Sequence, residues 1–281
     1  MEKLSKRRWL YDRGLRALLY LCGLLVCALL VFLIGYIFVR GLPLVTWELL
    51  STQTSMLKGT TGILPHIAST IYIIVLSMAI VLPLGVGAAI YLTEYASNRR
   101  LAAIIEFAAE TLTGIPSIIF GLVGMMVFIQ LMGLKAGILA GGLTLVVMIL
   151  PTIITVSKTS LDAVPQSYYE GSLALGATHE RSVFCAVLPA AKSGVMSAVI
   201  LGVGRAIGET MAVVMVAGNQ TWMPKGLFQG LRTMTSNIVI EMGYAADLHR
   251  EALIATGVVL FVFILLINLC FSLVKGGEKN G

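Results

Sequence analysis

Two oppositely charged residues, Arg205 and Glu209, lie four positions apart within an otherwise apolar stretch at residues 194–216. A charged side chain at the centre of a membrane helix costs about 2.5–3.5 kcal/mol on insertion scales, so it normally marks a transport pathway or a charged partner. If the stretch is one helix, Arg205 lies about 16 Å from its start, close to the middle of a bilayer. The spacing then places Glu209 on the same helix face. These residues predict a chain that moves something charged across a membrane.

The composition is that of a membrane protein. Hydrophobic residues make up 58% of the chain and charged residues 12%, against about 25% charged residues in soluble domains. Six apolar stretches are long enough to span a bilayer, at residues 15–39, 67–92, 111–132, 136–156, 194–216 and 252–274. The connections between them leave no room for a soluble catalytic domain. The predicted fold class is therefore an all-α polytopic membrane protein with six transmembrane helices.

The basic residues predict the orientation of these helices. Residues 1–16 are strongly basic and are expected to form a short cytoplasmic helix, followed by a six-helix domain at residues 17–281. With six crossings, the cytoplasmic side carries 13 Lys and Arg residues and the outer side six. This asymmetry follows the positive-inside rule. Both termini are expected to be cytoplasmic, and the net charge of +6 is interpreted as topology rather than as affinity for nucleic acid.

Neither a metal site nor an active site is predicted. The four cysteines and three histidines are scattered through the chain without the spacing of metal ligands or of a redox motif. An integral membrane enzyme lacks support, because no cluster of nucleophile, base and metal ligands appears at either membrane face.

The longest cytoplasmic loop, at residues 157–193, has the pattern of a helical hairpin. Pro165 suits the first turn of a helix, and Gly176 suits a break between two short helices. A polar hairpin of this kind offers a partner protein a helix that can bind in a groove.

This loop also contains a motif. Its residues are Glu170, Gly171, Ser172, Gly176, Leu188 and Pro189. Their spacing resembles the coupling segment of ATP-binding-cassette (ABC) importer permeases, with Gly171 and Ser172 where that family has two alanines. Ala186 stands where the family has a larger aliphatic residue. The resemblance implies that residues near 168–180 dock into a cleft of an ATPase subunit.

A second stretch, at residues 202–213 and continuing to Gly218-Asn219, resembles the fifth span of phosphate-specific transporter permeases of the PstC type. Other segments fit the same family, namely Gly114-Ile115-Pro116-Ser117, Phe120-Gly121-Leu122 and Leu150-Pro151. The first of these is a turn that is expected to break the helix in the third apolar stretch. The resemblance extends from the basic N-terminus to the last span. It implies the fold of a type I ABC importer permease.

The resemblance further implies a permease subunit in a bacterial or archaeal plasma membrane, forming half of the pathway of an ATP-driven phosphate importer. The expected partners are a second, homologous permease chain, two ABC ATPase copies and an extracytoplasmic phosphate-binding protein. The sequence contains no Gly-x-x-x-x-Gly-Lys-Ser/Thr phosphate loop. ATP and Mg²⁺ are accordingly expected on the partner ATPase, with no cofactor in this chain.

Within that family, Arg205, Glu209 and Thr210 are the candidate residues of the substrate pathway. Arginine is permanently charged and offers two parallel N–H donors to an oxyanion. The hypothesis is that Glu209 neutralises Arg205 when the pathway is empty and is displaced when phosphate arrives. The alternative is a structural salt bridge that holds spans together. Thr210 and Asn219 are weaker candidates for oxyanion contact, and ordinary hydrogen bonding is the favoured explanation for both.

Two other transport functions remain open. A permease for sulfate or molybdate shares the Arg-x-x-Gly-Glu core, whereas the Thr210-Met211-Ala212-Val213 that follows favours phosphate. An ion-driven secondary transporter would need no ATPase dock, so the motif in the loop at residues 157–193 argues against it.

Overall fold

The computed structural model describes residues 6–55 and 60–277, and the surroundings of side chains at residues 11–54 and 62–273. An antiparallel hairpin of β1 (Gln53–Ser55) and β2 (Thr60–Ile63) pairs Gln53 with Ile63. All other regular elements of the described residues are helical. The α-helices are α1 (Lys6–Gly41), α2 (Trp47–Ser51), α3 (Leu64–Ile90), α4 (Arg99–Thr113), α5 (Ser117–Gly124), α6 (Ile138–Asp162), α7 (Gln166–Ala174), α8 (His179–Ser182), α9 (Leu188–Gly208), α10 (Met211–Val216), α11 (Met234–Met242) and α12 (Asp247–Gly277).

The predicted all-α polytopic fold is confirmed. Within the described residues, five helical segments are long and apolar enough to cross a membrane, and they contain α1, α3, α6, α9 and α12. A sixth crossing is formed if α4 and α5, with the π-helical turns Met125–Leu131 that continue α5, act as one bent span. These two parts meet at 106°.

The third predicted span, at residues 111–132, is not one helix. Helix α4 ends at Thr113, and α5 begins at Ser117 after Pro116 in an extended conformation. Proline disfavours a helical conformation of the residue before it, which explains the break at Ile115. The large bend between α4 and α5 also shows that α4 is not a straight extension of the span.

The prediction that residues 194–216 form one continuous helix is also wrong. Helix α9 begins six residues earlier, at Leu188, and ends at Gly208. Glu209 has an extended backbone with φ −69° and ψ 131°, and a new helix, α10, begins at Met211. A polar break therefore lies inside the fifth apolar stretch.

Helix α1 runs without interruption from Lys6 to Gly41. The boundary expected at residue 16 therefore does not coincide with a helix end, and the basic segment continues directly into the first span. Residues 1–5 of that predicted N-terminal helix lie outside the described residues.

Helix α6 lies at the centre of the packed core, between α3 and α9. Its Leu145, Ile149 and Ile153 are completely buried. Gly85 of α3 and Gly202 of α9 both lie against Ile153, at distances where an added Cβ would come 2.6 Å from a side-chain carbon of that isoleucine. Two glycines thus allow α3 and α9 to approach α6 closely, which fixes the position of the end of α9.

We expect Gly85→Ala to lower the free energy of unfolding by about 1–3 kcal/mol, because the new methyl group overpacks against Ile153. The matched control is Gly87→Ala in the same helix, where an added Cβ meets nothing within 4 Å. That variant should be neutral or stabilising by about 0.5 kcal/mol, since alanine is the better helix former. Thermal unfolding of the purified protein in detergent checks both, and equal melting temperatures would contradict the close packing.

Candidate functional site

Arg205 lies in the last turn of α9 and is half-buried. Its Nη1 donates to Oγ1 of Thr152, on the central helix α6, at 3.3 Å. Among the described residues, this is the one hydrogen bond that the Arg205 side chain makes. Because a guanidinium group carries five N–H donors, most of its donor capacity remains for a ligand.

The helix face that carries Arg205 is open. Leu201 and Gly208 share this face with Arg205, four residues before it and three residues after it, and Gly204 directly precedes it. An added Cβ at Gly204 or Gly208 would meet nothing within 4 Å, and the Leu201 side chain is 54% exposed. The half-buried Arg205 thus lies between two glycines whose surroundings the described chain leaves open.

Glu209 does not lie on the same helix face as Arg205, because α9 ends between them. Its Oε1 accepts a hydrogen bond from the backbone N–H of Ala212 at 3.0 Å. The carboxylate therefore caps the first turn of α10, where the helix dipole favours a negative charge. Both residues are described, and no ion pair joins them in this conformation. Neither the neutralising pair nor the structural salt bridge that the sequence suggested is formed here.

Thr210 takes part in the break itself. Its Oγ1 donates to the carbonyl oxygen of Gly208 at 3.2 Å, which satisfies one of the acceptors that the end of α9 leaves free. Asn219 has an equally structural role, since its Nδ2 donates to the carbonyl oxygen of Val214 at 2.8 Å, in the last turns of α10. The structure thus brings Arg205, Glu209 and Thr210 to one helix break and leaves Asn219 beyond it.

A residue that the sequence did not single out supports this break. Thr235 of α11 is buried, and its Oγ1 donates to the carbonyl oxygen of Glu209 at 3.1 Å. Helix α11 is itself fixed by Thr233, whose hydroxyl caps its N-terminus, and by Thr70 of α3, whose Oγ1 accepts from the N–H of Met234 at 3.1 Å. No local pattern reveals the contact, because Thr235 lies 26 residues after Glu209.

We expect Thr235→Val to lower the transport rate about tenfold, because a similarly shaped side chain leaves the buried carbonyl of Glu209 without its donor, at a cost of about 1–2 kcal/mol. Thr235→Ser keeps the hydroxyl and should retain most of the activity. Initial uptake rates of the two variants in reconstituted vesicles make the comparison. Equal rates for valine and serine would show that the hydrogen bond is dispensable.

Beyond the break, a charged network ties the segment before α11 to α11 and α12. Arg232 forms an ion pair with Glu241 at 2.6 Å, and its Nε donates to the carbonyl oxygen of Asn219 at 3.2 Å. His249 lies 3.5 Å from the other carboxylate oxygen of Glu241. The network holds the segment that follows α10 in place, so the break is fixed from both sides.

The motif in the loop at residues 157–193 forms the expected hairpin. Helix α7 begins one residue after Pro165 and contains Glu170, Gly171 and Ser172. Gly176 follows α7 with φ +84°, a conformation that favours glycine. Leu188 and Pro189 begin α9, after α8 and the π-helical turns Val183–Val187. The hairpin therefore joins the membrane helices α6 and α9 directly.

One feature of this hairpin has no signal in the sequence. Leu175, between α7 and Gly176, is 92% exposed. Single exposed leucines are ordinary on protein surfaces, so this exposure alone assigns no role. Leu175 joins Glu170 and Gly171 as a candidate coupling residue because it lies within the segment near residues 168–180 that is expected to dock.

The chain has membrane-spanning helices packed around α6, a broken fifth span and an exposed hairpin before α9. Together these features define the membrane subunit of a transport system. The chain belongs to the family of binding-protein-dependent transport system inner membrane components, whose model matches residues 81–276. It is thus a multi-pass membrane protein, and the family resemblance seen in the sequence is confirmed.

Two relatives show its place within the family. The chain is 38% identical over 219 residues to the probable ABC transporter permease protein YqgH of Bacillus subtilis, covering 74% of this chain and 71% of that one. It is 33% identical over 269 residues to the phosphate transport system permease protein PstC of Haemophilus influenzae, covering 84% and 85%.

Solved structures agree on the fold. A bacterial ABC transporter involved in the import of the acidic polysaccharide alginate is 13% identical, with a TM-score of 0.63, covering 95% of this chain and 98% of that chain. The MetNI methionine ABC transporter in an inward-facing conformation is 21% identical, with a TM-score of 0.61, covering 77% and 94%. Both structures are of ABC transporters, and they agree with the fold that the sequence predicted.

Proposed function

We propose that this chain is the transmembrane permease subunit of an ATP-driven importer of inorganic phosphate, and that it forms half of the translocation pathway. The observation that carries the proposal is the position of Arg205 at a helix break, between two glycines whose surroundings are open. The PstC relatives, named as phosphate transport system permeases, support phosphate as the substrate.

Arg205 is the residue that we assign to the phosphate. A phosphate ion near neutral pH must shed much of its hydration in a narrow path, and a guanidinium group replaces those hydrogen bonds with two parallel donors. Thr152 holds the guanidinium through Nη1, so the side chain is oriented before the anion arrives. Preorganised donors of this kind cost little rearrangement when charge enters the site.

Glu209 and Thr210 are assigned to the break that positions this site. In the conformation described, the Glu209 carboxylate caps α10 through Ala212. If Glu209 swings to neutralise Arg205 in another state of the cycle, α10 loses that cap, at a cost of about 0.5–2 kcal/mol. A cost of this size is small enough for a reversible step, so the proposed exchange between the cap and Arg205 is energetically feasible.

We assign the coupling of transport to ATP hydrolysis to the hairpin that contains α7 and α8. Glu170 and Gly171 are exposed on α7, and an added Cβ at Gly171 would meet nothing within 4 Å, so a close-fitting ATPase surface can approach there. With both termini cytoplasmic, this hairpin lies on the ATP side of the membrane. The outer segments near residues 40–66 and 217–250 are then left for an extracytoplasmic binding protein, and a second permease chain completes the pathway.

The test is uptake of labelled phosphate by liposomes that contain this chain with its partner permease, ATPase and binding protein. ATP-dependent uptake that excess sulfate or molybdate does not reduce is the expected result. Uptake that either competitor blocks would reassign the chain to a broader oxyanion permease. Uptake without ATP would overturn the importer assignment and favour an ion-driven transporter.

A further inference from the structure

The coupling helix α7 is held to the rest of the chain by few side chains. None of its residues is buried, so it cannot transmit force through a packed core of its own. Among the described residues, two side-chain hydrogen bonds join it to the segment that follows: Ser182 to Ser172 at 3.0 Å, and the Tyr169 hydroxyl with Nδ1 of His179 at 2.8 Å. The effect of α7 on the membrane helices therefore depends on which other residues the partners of these hydrogen bonds contact.

His179, the first residue of α8, lies between two tyrosines. Its ring meets Tyr169 of α7 edge-on, with ring centroids 5.7 Å apart, and it meets Tyr95 in the same manner at 4.7 Å. Tyr95 ends the π-helical turns Tyr91–Tyr95, which continue α3. Edge-to-face aromatic pairs at these distances attract one another in a fixed orientation. One imidazole therefore links the coupling helix to the end of a membrane helix.

Both tyrosines also rest on the same small apolar cluster. Ala89 and Ile90 from the end of α3 pack there with Val183 and Val187, which precede α9, and with Leu161 of α6. The linkage thus lies where three core helices meet, and a displacement of α7 at this point reaches all of them. Close-packed interiors transmit such displacements because they deform little.

We propose that His179 is a positioning residue for energy coupling. It forms a link that transmits movement of α7 through Tyr169 and Tyr95 to helix α3. The inference rests on the proposed function, since it presumes an ATPase that moves α7. It differs from docking itself: Glu170 and Gly171 would be contacted by the ATPase, whereas His179 faces inward and carries the movement onward. If this link is lost, the ATPase should still dock and hydrolyse ATP, but fewer phosphate ions should be transported per ATP hydrolysed.

Tyr169→Phe is the principal test, because it keeps the ring and removes the hydroxyl that meets His179. Its matched control is Tyr91→Phe, an exposed tyrosine at the end of α3 that lies outside the docking segment. The measurement is the number of phosphate ions transported per ATP hydrolysed by the complete reconstituted complex. We expect this ratio to fall about threefold to tenfold in Tyr169→Phe, as the loss of one hydrogen bond predicts, and to stay unchanged in Tyr91→Phe.

A second variant, His179→Ala, removes both ring contacts and should lower the ratio further, while copurification of the ATPase and the hydrolysis rate stay near those of the wild type. An unchanged ratio in Tyr169→Phe overturns the proposal, and so does a fall that merely follows loss of the ATPase. Transport by the wild-type complex tests the proposed function. The link through His179 is tested by comparing the phosphate ions transported per ATP in each variant with the value of the wild type. If the wild type carries another oxyanion, the same ratio is measured with that anion.

Discussion

Arg205→Ala is expected to reduce phosphate uptake at least about 100-fold while the transport complex still assembles. Two charge-assisted hydrogen bonds to an oxyanion are together worth about 3 kcal/mol or more, and each 1.4 kcal/mol corresponds to a factor of ten. Assembly should survive, because the Arg205 side chain makes a single hydrogen bond to the described residues, to Thr152. Uptake by reconstituted vesicles and copurification of the partners measure the two effects separately.

Arg205→Lys is the matched control. It keeps the positive charge and loses the planar pair of donors, so we expect uptake between those of the wild type and Arg205→Ala. If lysine restored full uptake, charge alone would account for the role of this position. Normal uptake by Arg205→Ala would remove the residue from the pathway.

The spans and the hairpin could be predicted from the sequence because their signals are local. Long apolar runs specify helices that cross the membrane, and Pro165 and Gly176 mark the beginning and end of α7 through their own backbone preferences. The break before α5 was visible for the same reason, since Pro116 lies within it. Where the backbone chemistry of a few neighbouring residues decides the outcome, the prediction and the structure agree.

The end of α9 could not be predicted in this way. The residues at the break include no proline, and the apolar pattern continues from α9 into α10. What stabilises the break is a set of hydrogen bonds: Glu209 to the N–H of Ala212, and Thr235 to the carbonyl of Glu209. The second bond comes from a different helix, and a contact between distant residues leaves no trace in local spacing. The candidate residues lie at this break, but the geometry that relates Arg205 to Glu209 could not be predicted from their spacing.

This difference changes the expected mechanism. On a continuous helix, Arg205 and Glu209 would form a pair, and phosphate would have to displace the carboxylate. Because the helix is broken, the Glu209 carboxylate accepts a hydrogen bond from the first turn of α10, and the Arg205 guanidinium is left accessible. The conformation described therefore suits a site that is ready to receive an anion, and closing it requires a change at the break rather than a rotation of one side chain.

The second large effect is expected at the coupling hairpin, where Leu175→Asp should reduce both ATPase copurification and uptake about 30-fold or more. Leu175 is 92% exposed, so its replacement removes almost no packing within this chain. Buried in an interface, a large apolar residue of this kind is worth about 2 kcal/mol or more, and an aspartate there would be left without a partner. Gly176, at φ +84°, fixes the direction in which the hairpin turns after Leu175.

Leu227→Asp provides the comparison, since it places the same charge at another exposed leucine, in the segment between α10 and α11. Copurification of the ATPase should be unaffected there, because that segment lies on the opposite side of the membrane in the proposed topology. If both variants lost the ATPase equally, the added charge would be acting through general destabilisation. If neither did, Leu175 would lie outside the dock and the contact would be confined to Glu170 and Gly171. A loss specific to Leu175→Asp would place the ATPase at the end of α7, at a residue that lies between Tyr169 and His179 in the sequence, so docking and transmission would take place on the same hairpin.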